Sequence, residues 1–215
     1  MFDLDGTLVH TAPALNKAGN DLLLELNLPP VSIDDYSGFI GGGIPKQVKK
    51  LLEFSNHDFT KSLDEYIKRF KEIYYNDPLY KTILFPDVKK VLKELTLKYN
   101  NLALCTQKNE IPAKIILKNF DILKYFSDFA FGDSLDVLKP DPRMVHHATK
   151  NFISDKVIYI GDSSTDLKTA RNSKATFILF TEGYRKKSVK EINPDYYFSN
   201  FLELPSIIRD LEINW

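Results

Sequence analysis

Short apolar runs alternate with stretches of helical periodicity over most of this chain, and that alternation sets the fold class. Residues 101–106, 128–131, 157–161, 176–180 and 196–198 are brief, nearly unbroken hydrophobic segments. They have the pattern of strands buried on both faces of a parallel sheet. Between and after them, residues 87–98, 110–120, 142–151, 165–172 and 201–211 carry apolar positions at helical spacing. The alternation predicts an α/β fold, a Rossmann-like, doubly wound parallel sheet.

Residues 13–80 depart from the alternation. Leu15, Leu22, Leu23 and Leu26, then Leu63, Tyr66, Ile67, Phe70, Ile73 and Tyr74, keep a helical period with no strand between them. This reads as an all-helical module inserted after the first strand. Thr11 is placed to cap its first helix, with Pro13 in the first turn where a missing N–H does no harm. Residues 77–86 form the return link. The expected organisation is a core of residues 1–12 and 83–215, with a helical cap domain over residues 13–82.

At 215 residues the chain can bury a sizeable core, and 43% hydrophobic with 27% charged residues is ordinary for a soluble protein. Lysines and arginines number 29, as do aspartates and glutamates. The net charge of zero gives no general attraction to nucleic acid or an anionic membrane, so an anionic ligand must be held by local groups. Cys105 is the one cysteine; it allows no internal disulfide and suits a reducing compartment. No apolar run approaches the roughly 20 residues of a bilayer span, and no basic segment followed by an apolar run opens the chain. A cytoplasmic monomer or homodimer is expected.

The chemistry begins at Asp3-Leu4-Asp5-Gly6-Thr7. Alternate residues of a strand point the same way, so a strand ending near Leu4 or Asp5 brings both acids to its carboxyl edge, where open α/β sheets bind ligands. Adjacent carboxylates repel and call for a cation or a shared proton, which points to a Mg²⁺ site. Three more polar clusters lie at strand ends or helix starts: Thr106-Gln107-Lys108, Lys139-Pro140, and Gly161-Asp162-Ser163-Ser164-Thr165-Asp166. Together they can hold a divalent cation and a phosphate side by side.

These four clusters, in this order and spacing, resemble the motifs of the haloacid dehalogenase-like hydrolases, and the resemblance covers essentially the whole chain. Within that superfamily the chain is most similar to phosphoglycolate phosphatases and near relatives with a helical cap, on residues 9–13, 26–30, 40–43 and 182–185. The resemblance implies Asp3 as nucleophile and Asp5 as general acid and then base. It implies Mg²⁺ on the Asp3 carboxylate, the Asp5 backbone carbonyl and Asp162, with Asp166 as an outer ligand. Thr106, the Gln107 amide and Lys139 would hold the phosphoryl oxygens. An acid at position 5 suits a phosphate ester, whose leaving alcohol needs a proton, better than a halide. The implied reaction is Mg²⁺-dependent hydrolysis of a small phosphorylated metabolite, 2-phosphoglycolate first among candidates, through an aspartyl phosphate. A β-phosphoglucomutase-like transferase, a pyrophosphatase, and a nucleotide or sugar phosphatase use the same parts. A catalytically silent binding or regulatory protein is the alternative of another class.

Other residues read more plainly. Gly41-Gly42-Gly43 is no P-loop, since no Gly-Lys-Ser/Thr follows. It is either a flexible loop or a cap loop over the substrate, and the resemblance favours the latter. Lys46 reads as a solvated helix residue or a specificity contact, His146 and His147 as surface or packing residues, His57 as part of a polar stretch, Cys105 as buried, and the aromatics as core. His10 stands where relatives carry Asp at the cap hinge, and Gln107 where Asn is commoner. Only Met1 and Phe2 precede Asp3, where relatives carry several apolar residues; a truncated start or a weaker central strand is expected.

Overall fold

The computed structural model describes residues 1–60, 62–99, 101–152 and 156–213. The strands are β1 (Val9–His10), β2 (Ile83–Leu84), β3 (Ala103–Cys105), β4 (Asp128–Ala130), β5 (Ile158–Gly161), β6 (Thr176–Phe180) and β7 (Tyr196–Phe198). The helices are α1 (Ala12–Glu25), α2 (Ile33–Ser37), α3 (Gly43–Phe54), α4 (Leu63–Asn76), α5 (Val88–Lys98), α6 (Glu110–Asn119), α7 (Arg143–Ala148), α8 (Ser164–Asn172), α9 (Val189–Ile192) and α10 (Leu204–Ile213). Among the described residues no helix is long and apolar enough to cross a membrane.

β3 pairs with β4, and β5 with β6 and then β7, all parallel. The opening residues join the two halves. Phe2 N–H donates to Ala103 O at 2.9 Å and Cys105 N–H to Phe2 O at 2.8 Å. On the other side Asp3 N–H donates to Ile160 O at 2.9 Å, and the Met1 nitrogen to Ile158 O at 2.8 Å. The first segment is therefore central but contributes only isolated bridges. It ends because the N–H groups of Thr7, Leu8 and Val9 all turn back onto Leu4 O.

Period-two alternation divides the sheet into two faces. Phe2, Leu104, Ile160, Ile178 and Phe180 pack with α5, α6 and α10, whereas Ala103, Cys105, Tyr159, Phe177 and Leu179 pack with α7, α8 and α9. Helices on both faces make this the doubly wound α/β architecture expected from the pattern. Boundaries shift modestly: α7 stops at Ala148, and the last helix begins as a 3₁₀ turn over Phe201–Glu203. The aromatic residues are not uniformly core, since Phe54 and Tyr197 are 52% and 61% exposed.

The cap helices α1 to α4 have a core of their own, built on Leu15, Leu22, Tyr36, Val48, Leu51, Phe70 and Tyr74. Where the chain leaves and re-enters the sheet domain, β1 and β2 pair antiparallel, Val9 opposite Leu84 and His10 opposite Ile83. This two-residue clasp was too short to show as periodicity. Thr11 occupies the N-cap position of α1 but its side chain does not cap the helix; the hydroxyl donates to Asp5 Oδ1 at 2.7 Å instead.

Phe180, 2% exposed, touches the rings of Phe85, Phe198 and Phe201 at centroid distances of 5.0, 5.2 and 5.0 Å. Phe180→Ala should cost about 3–5 kcal/mol of unfolding free energy, read from urea titration. A loss below about 1 kcal/mol would show that this aromatic cluster is not close-packed.

Candidate active site

Three carboxylates converge at the carboxyl edge of the sheet. Asp3 ends the central segment, Asp162 follows β5 directly, and Asp166 lies in the first turn of α8. Their exposures are 8%, 2% and 0%, and each offers an oxygen within 4.8 Å of the others. Local structure holds each one. Asp3 Oδ1 accepts the Leu4 N–H at 2.7 Å. Asp162 accepts the Thr7 hydroxyl at 3.2 Å and the Tyr184 N–H at 2.6 Å. Asp166 Oδ2 accepts the Ser163 N–H and hydroxyl at 3.1 and 2.6 Å, and Ser163 in turn caps α8. That capping box is written in Ser163-x-x-Asp166 and could have been read from the sequence.

Lys139 supplies the local positive charge. Its Nζ lies 2.9 Å from Asp3 Oδ2 and 2.7 Å from Asp166 Oδ1. Burial works against its charge, but Asp166 and Asp3 outweigh that and hold the ammonium protonated. One cation cannot balance three buried anions. Burial first, opposed by Lys139, pushes Asp3 well above the usual carboxylate range. Burial, followed by the charges of Asp166 and Asp3, does the same to Asp162. An all-oxygen set of buried acids in electrostatic deficit fits a hard divalent cation. Both oxygens of Asp166 are engaged and it does not line the pocket, so it stands behind Lys139 rather than facing a ligand.

Asp5 is held apart from this trio. Both its oxygens accept from Lys108 Nζ at 3.0 Å, and Lys108 Nζ also sits 4.8 Å from the ring centroid of Tyr74 in the cap. Its side chain is thus no member of the acidic cluster. Thr106, 1% exposed, accepts the Lys108 N–H at 3.2 Å on Oγ1, which leaves its hydroxyl proton for a ligand. The Gln107 side-chain amide N–H donates to Lys139 O at 3.1 Å, tying two loops together.

A cavity of about 60 Å³ lies between core and cap, with Asp3, Asp5, Thr106, Lys139 and Asp162 on one wall and Gly41, Gly43, Ile44, Gln47 and Tyr74 on the other. Gly42 forms the N-cap of α3 and does not line it. Lys46 is exposed, as is His146; His147 is half-buried. At the hinge, the Tyr184 hydroxyl accepts the N–H groups of Thr11 and Ala12 at 2.7 and 2.9 Å and lies 3.1 Å from His10 Nδ1. A phenol has two acceptor sites and one proton, so His10 Nδ1 accepts and the ring is neutral. Burial lowers the His10 pKa in keeping with that. Gly6 is required by space as well as by φ of +80°, because a side chain there would run into Asp162 and Tyr184.

Sequence reasoning gave no role to Lys108, Gln47, Tyr74 or Tyr184. Gln47 carried a signal, a polar residue on the Ile44, Val48, Leu51 face of an amphipathic helix. Lys108 stood in the Thr106-Gln107-Lys108 cluster at a strand end, with no role of its own assigned to it.

A model of the haloacid dehalogenase-like hydrolases matches residues 1–180, so the chain belongs to that family and is an enzyme of it. Its relatives narrow the likeness to the phosphoglycolate phosphatases. The chain is 36% identical to one from Cereibacter sphaeroides, over 98% of this chain and 97% of the relative. It is 34% identical to one from Rhodobacter capsulatus, over 97% and 95%. A crystal structure described as a predicted phosphoglycolate phosphatase from Haemophilus somnus superposes with a TM-score of 0.87 at 29% identity, covering 96% of both chains.

Two outcomes follow from the geometry. A Cβ at Gly132 would fall on the Gln107 carbonyl, so Gly132→Ala should displace the 106–108 loop. We expect kcat/KM for phosphate-ester hydrolysis to fall about 100-fold with the circular dichroism spectrum unchanged; undiminished activity would show that this loop does not serve the site. The second concerns metal. Asp3 and Asp162 keep protons in the folded, metal-free protein that the unfolded chain releases near pH 4. The folded state then binds more protons, so their contribution to stability falls as pH rises through that window. A bound cation removes the penalty. Mg²⁺ should therefore raise the melting temperature more at about pH 7.5 than at about pH 5.5; equal shifts would contradict the charge deficit.

Proposed function

We propose that this chain is a Mg²⁺-dependent phosphatase that hydrolyses 2-phosphoglycolate through an aspartyl phosphate on Asp3. The observation carrying this reading is the meeting of Asp3, Asp162 and Lys139 at one sheet edge, with Thr106 and Asp5 on the same wall of a small cavity beneath the cap. The near-full-length similarity to phosphoglycolate phosphatases supports the substrate.

Asp3 and Asp162, with the Asp5 backbone carbonyl, would hold the Mg²⁺, and Asp166 would support it from behind. Bound there, the ion supplies the positive charge that lets an anionic nucleophile approach an anionic ester. The Leu4 N–H and Lys139 fix the two oxygens of Asp3. An Asp3 oxygen attacks phosphorus and the ester P–O bond breaks. The leaving oxygen takes its proton from Asp5. A water then attacks the phosphoryl group, gives a proton back to Asp5, and releases Asp3 with inorganic phosphate. Lys139 and the Thr106 hydroxyl stabilise the equatorial oxygens in both steps. The cavity lies between core and cap. The cap, which we place at residues 13–82 over a core of 1–12 and 83–215, would open to admit substrate and exclude bulk water when closed. We place the reaction in the cytoplasm, where the buried Cys105 thiol stays reduced.

Phosphate release from 2-phosphoglycolate tests this. Asp3→Asn should lower kcat by about 10⁴-fold or more, and EDTA should abolish turnover of the wild type. With p-nitrophenyl phosphate, whose leaving group needs no proton, Asp5→Asn should give a burst of about one nitrophenolate per site and then stall. Full activity of the Asp3 variant, or indifference to EDTA, would overturn the mechanism.

A further inference from the structure

The cap side of the cavity carries features that phosphoryl transfer does not use. Gln47 is 5% exposed, lines the cavity, and its amide oxygen has no partner. Tyr74 is 1% exposed, lines the same wall, and its hydroxyl is likewise unpartnered. Buried polar atoms seldom stay unsatisfied, so each calls for a ligand atom. Gln47 lies near the start of α3, a 12-residue helix that begins behind Gly42 with no side-chain cap, and its first residues form part of the cavity wall. Uncapped N–H groups and the helix dipole there favour an anion. Facing them from the core, Lys108 spends two N–H groups on Asp5 and has a third to offer.

All of these groups can donate hydrogen bonds, since the Gln47 amide presents its NH₂ after a half-turn about its last bond. A cluster of donors with one cation matches a carboxylate. The phosphoryl end of a substrate would be held on the opposite wall, by Asp3, Thr106 and Lys139; Lys108 touches both Asp5 and the Tyr74 ring, so the two walls lie close together and suit a short substrate. We propose that Gln47, the α3 N-terminus and Lys108, aided by the Tyr74 hydroxyl, form a second anion subsite that reads the carboxylate of the leaving group. The enzyme then selects phosphate esters of short hydroxy acids over esters of neutral alcohols. The inference rests on the phosphatase reading above and assigns its specificity to residues.

The test compares three esters with two-carbon leaving groups in the 215-residue protein with Mg²⁺: 2-phosphoglycolate, 2-hydroxyethyl phosphate and ethyl phosphate. The wild type should prefer 2-phosphoglycolate by at least about 100-fold in kcat/KM over both others. Gln47→Glu keeps the shape of the side chain and reverses its electrostatics. It should erase most of that preference by raising KM for 2-phosphoglycolate, with a much smaller effect on ethyl phosphate. Gln47→Leu should reduce the preference about tenfold, and melting temperatures of both variants check the fold. Equal rates on the three esters, or a preference for 2-hydroxyethyl phosphate, would overturn the carboxylate subsite while leaving the phosphatase reading intact. So would variants that lose all three substrates in proportion. No Mg²⁺-dependent phosphate release from any of these esters or from p-nitrophenyl phosphate would instead overturn the phosphatase reading itself.

Discussion

Taking a carboxylate out of water is costly unless hydrogen bonds or an opposite charge replace the lost hydration. Here Asp3, Asp162 and Asp166 are all buried at one point, with Lys139 as the ammonium between two of them. The surrounding fold is arranged to tolerate that. Backbone N–H groups of Leu4, Tyr184 and Ser163 and the hydroxyls of Thr7 and Ser163 are all aimed at these oxygens. They reduce the deficit without closing it. Asp3 and Asp162 remain biased toward protonation, the electrostatic condition that a divalent cation would relieve. An arrangement that is poor for stability thus fits the metal-assisted chemistry proposed above.

The same constraint explains local choices elsewhere in the core. The central segment reverses at Leu4, so Asp3 and Asp5 part company. Asp3 joins the acidic cluster, while Asp5 is drawn to Lys108 and Thr11. Two neighbouring acids with different partners can take different roles, one as nucleophile and the other as proton carrier. Gln107 contributes by bonding Lys139 O, which links the loops that carry Thr106 and Lys139.

The cap brings a separate hydrophobic core down onto this chemistry. A side chain at Gly43 would meet Leu138, next to Lys139 in the chain, at 3.4 Å, so cap and core lie against each other at the cavity. The β1–β2 clasp and the Tyr184 hydroxyl, which holds the start of α1 and His10 together, mark where the cap is anchored. Apolar packing inside the cap leaves Gln47 and Tyr74 on the cavity wall, each with a buried oxygen that has no hydrogen-bond partner.

The sequence by itself determined the alternation of buried strands and amphipathic helices, the helical insertion, and the acidic and basic residues at strand ends. Each of these is a local pattern: period two, period 3.6, or a polar residue at the end of an apolar run. The same locality explains what it missed. Helix α7 came out shorter than its pattern because apolar spacing does not mark where the last turn unwinds, and the two-residue clasp leaves no period at all. Which carboxylate lies next to which lysine was decided only by tertiary structure. Lys108 and Lys139 are alike as residues, yet one neutralises Asp5 and the other bridges Asp3 and Asp166. The Lys108–Asp5 and Lys139–Asp3 pairs join positions more than 100 residues apart, and they depend on the order in which parallel strands enter the sheet, which no short-range pattern encodes.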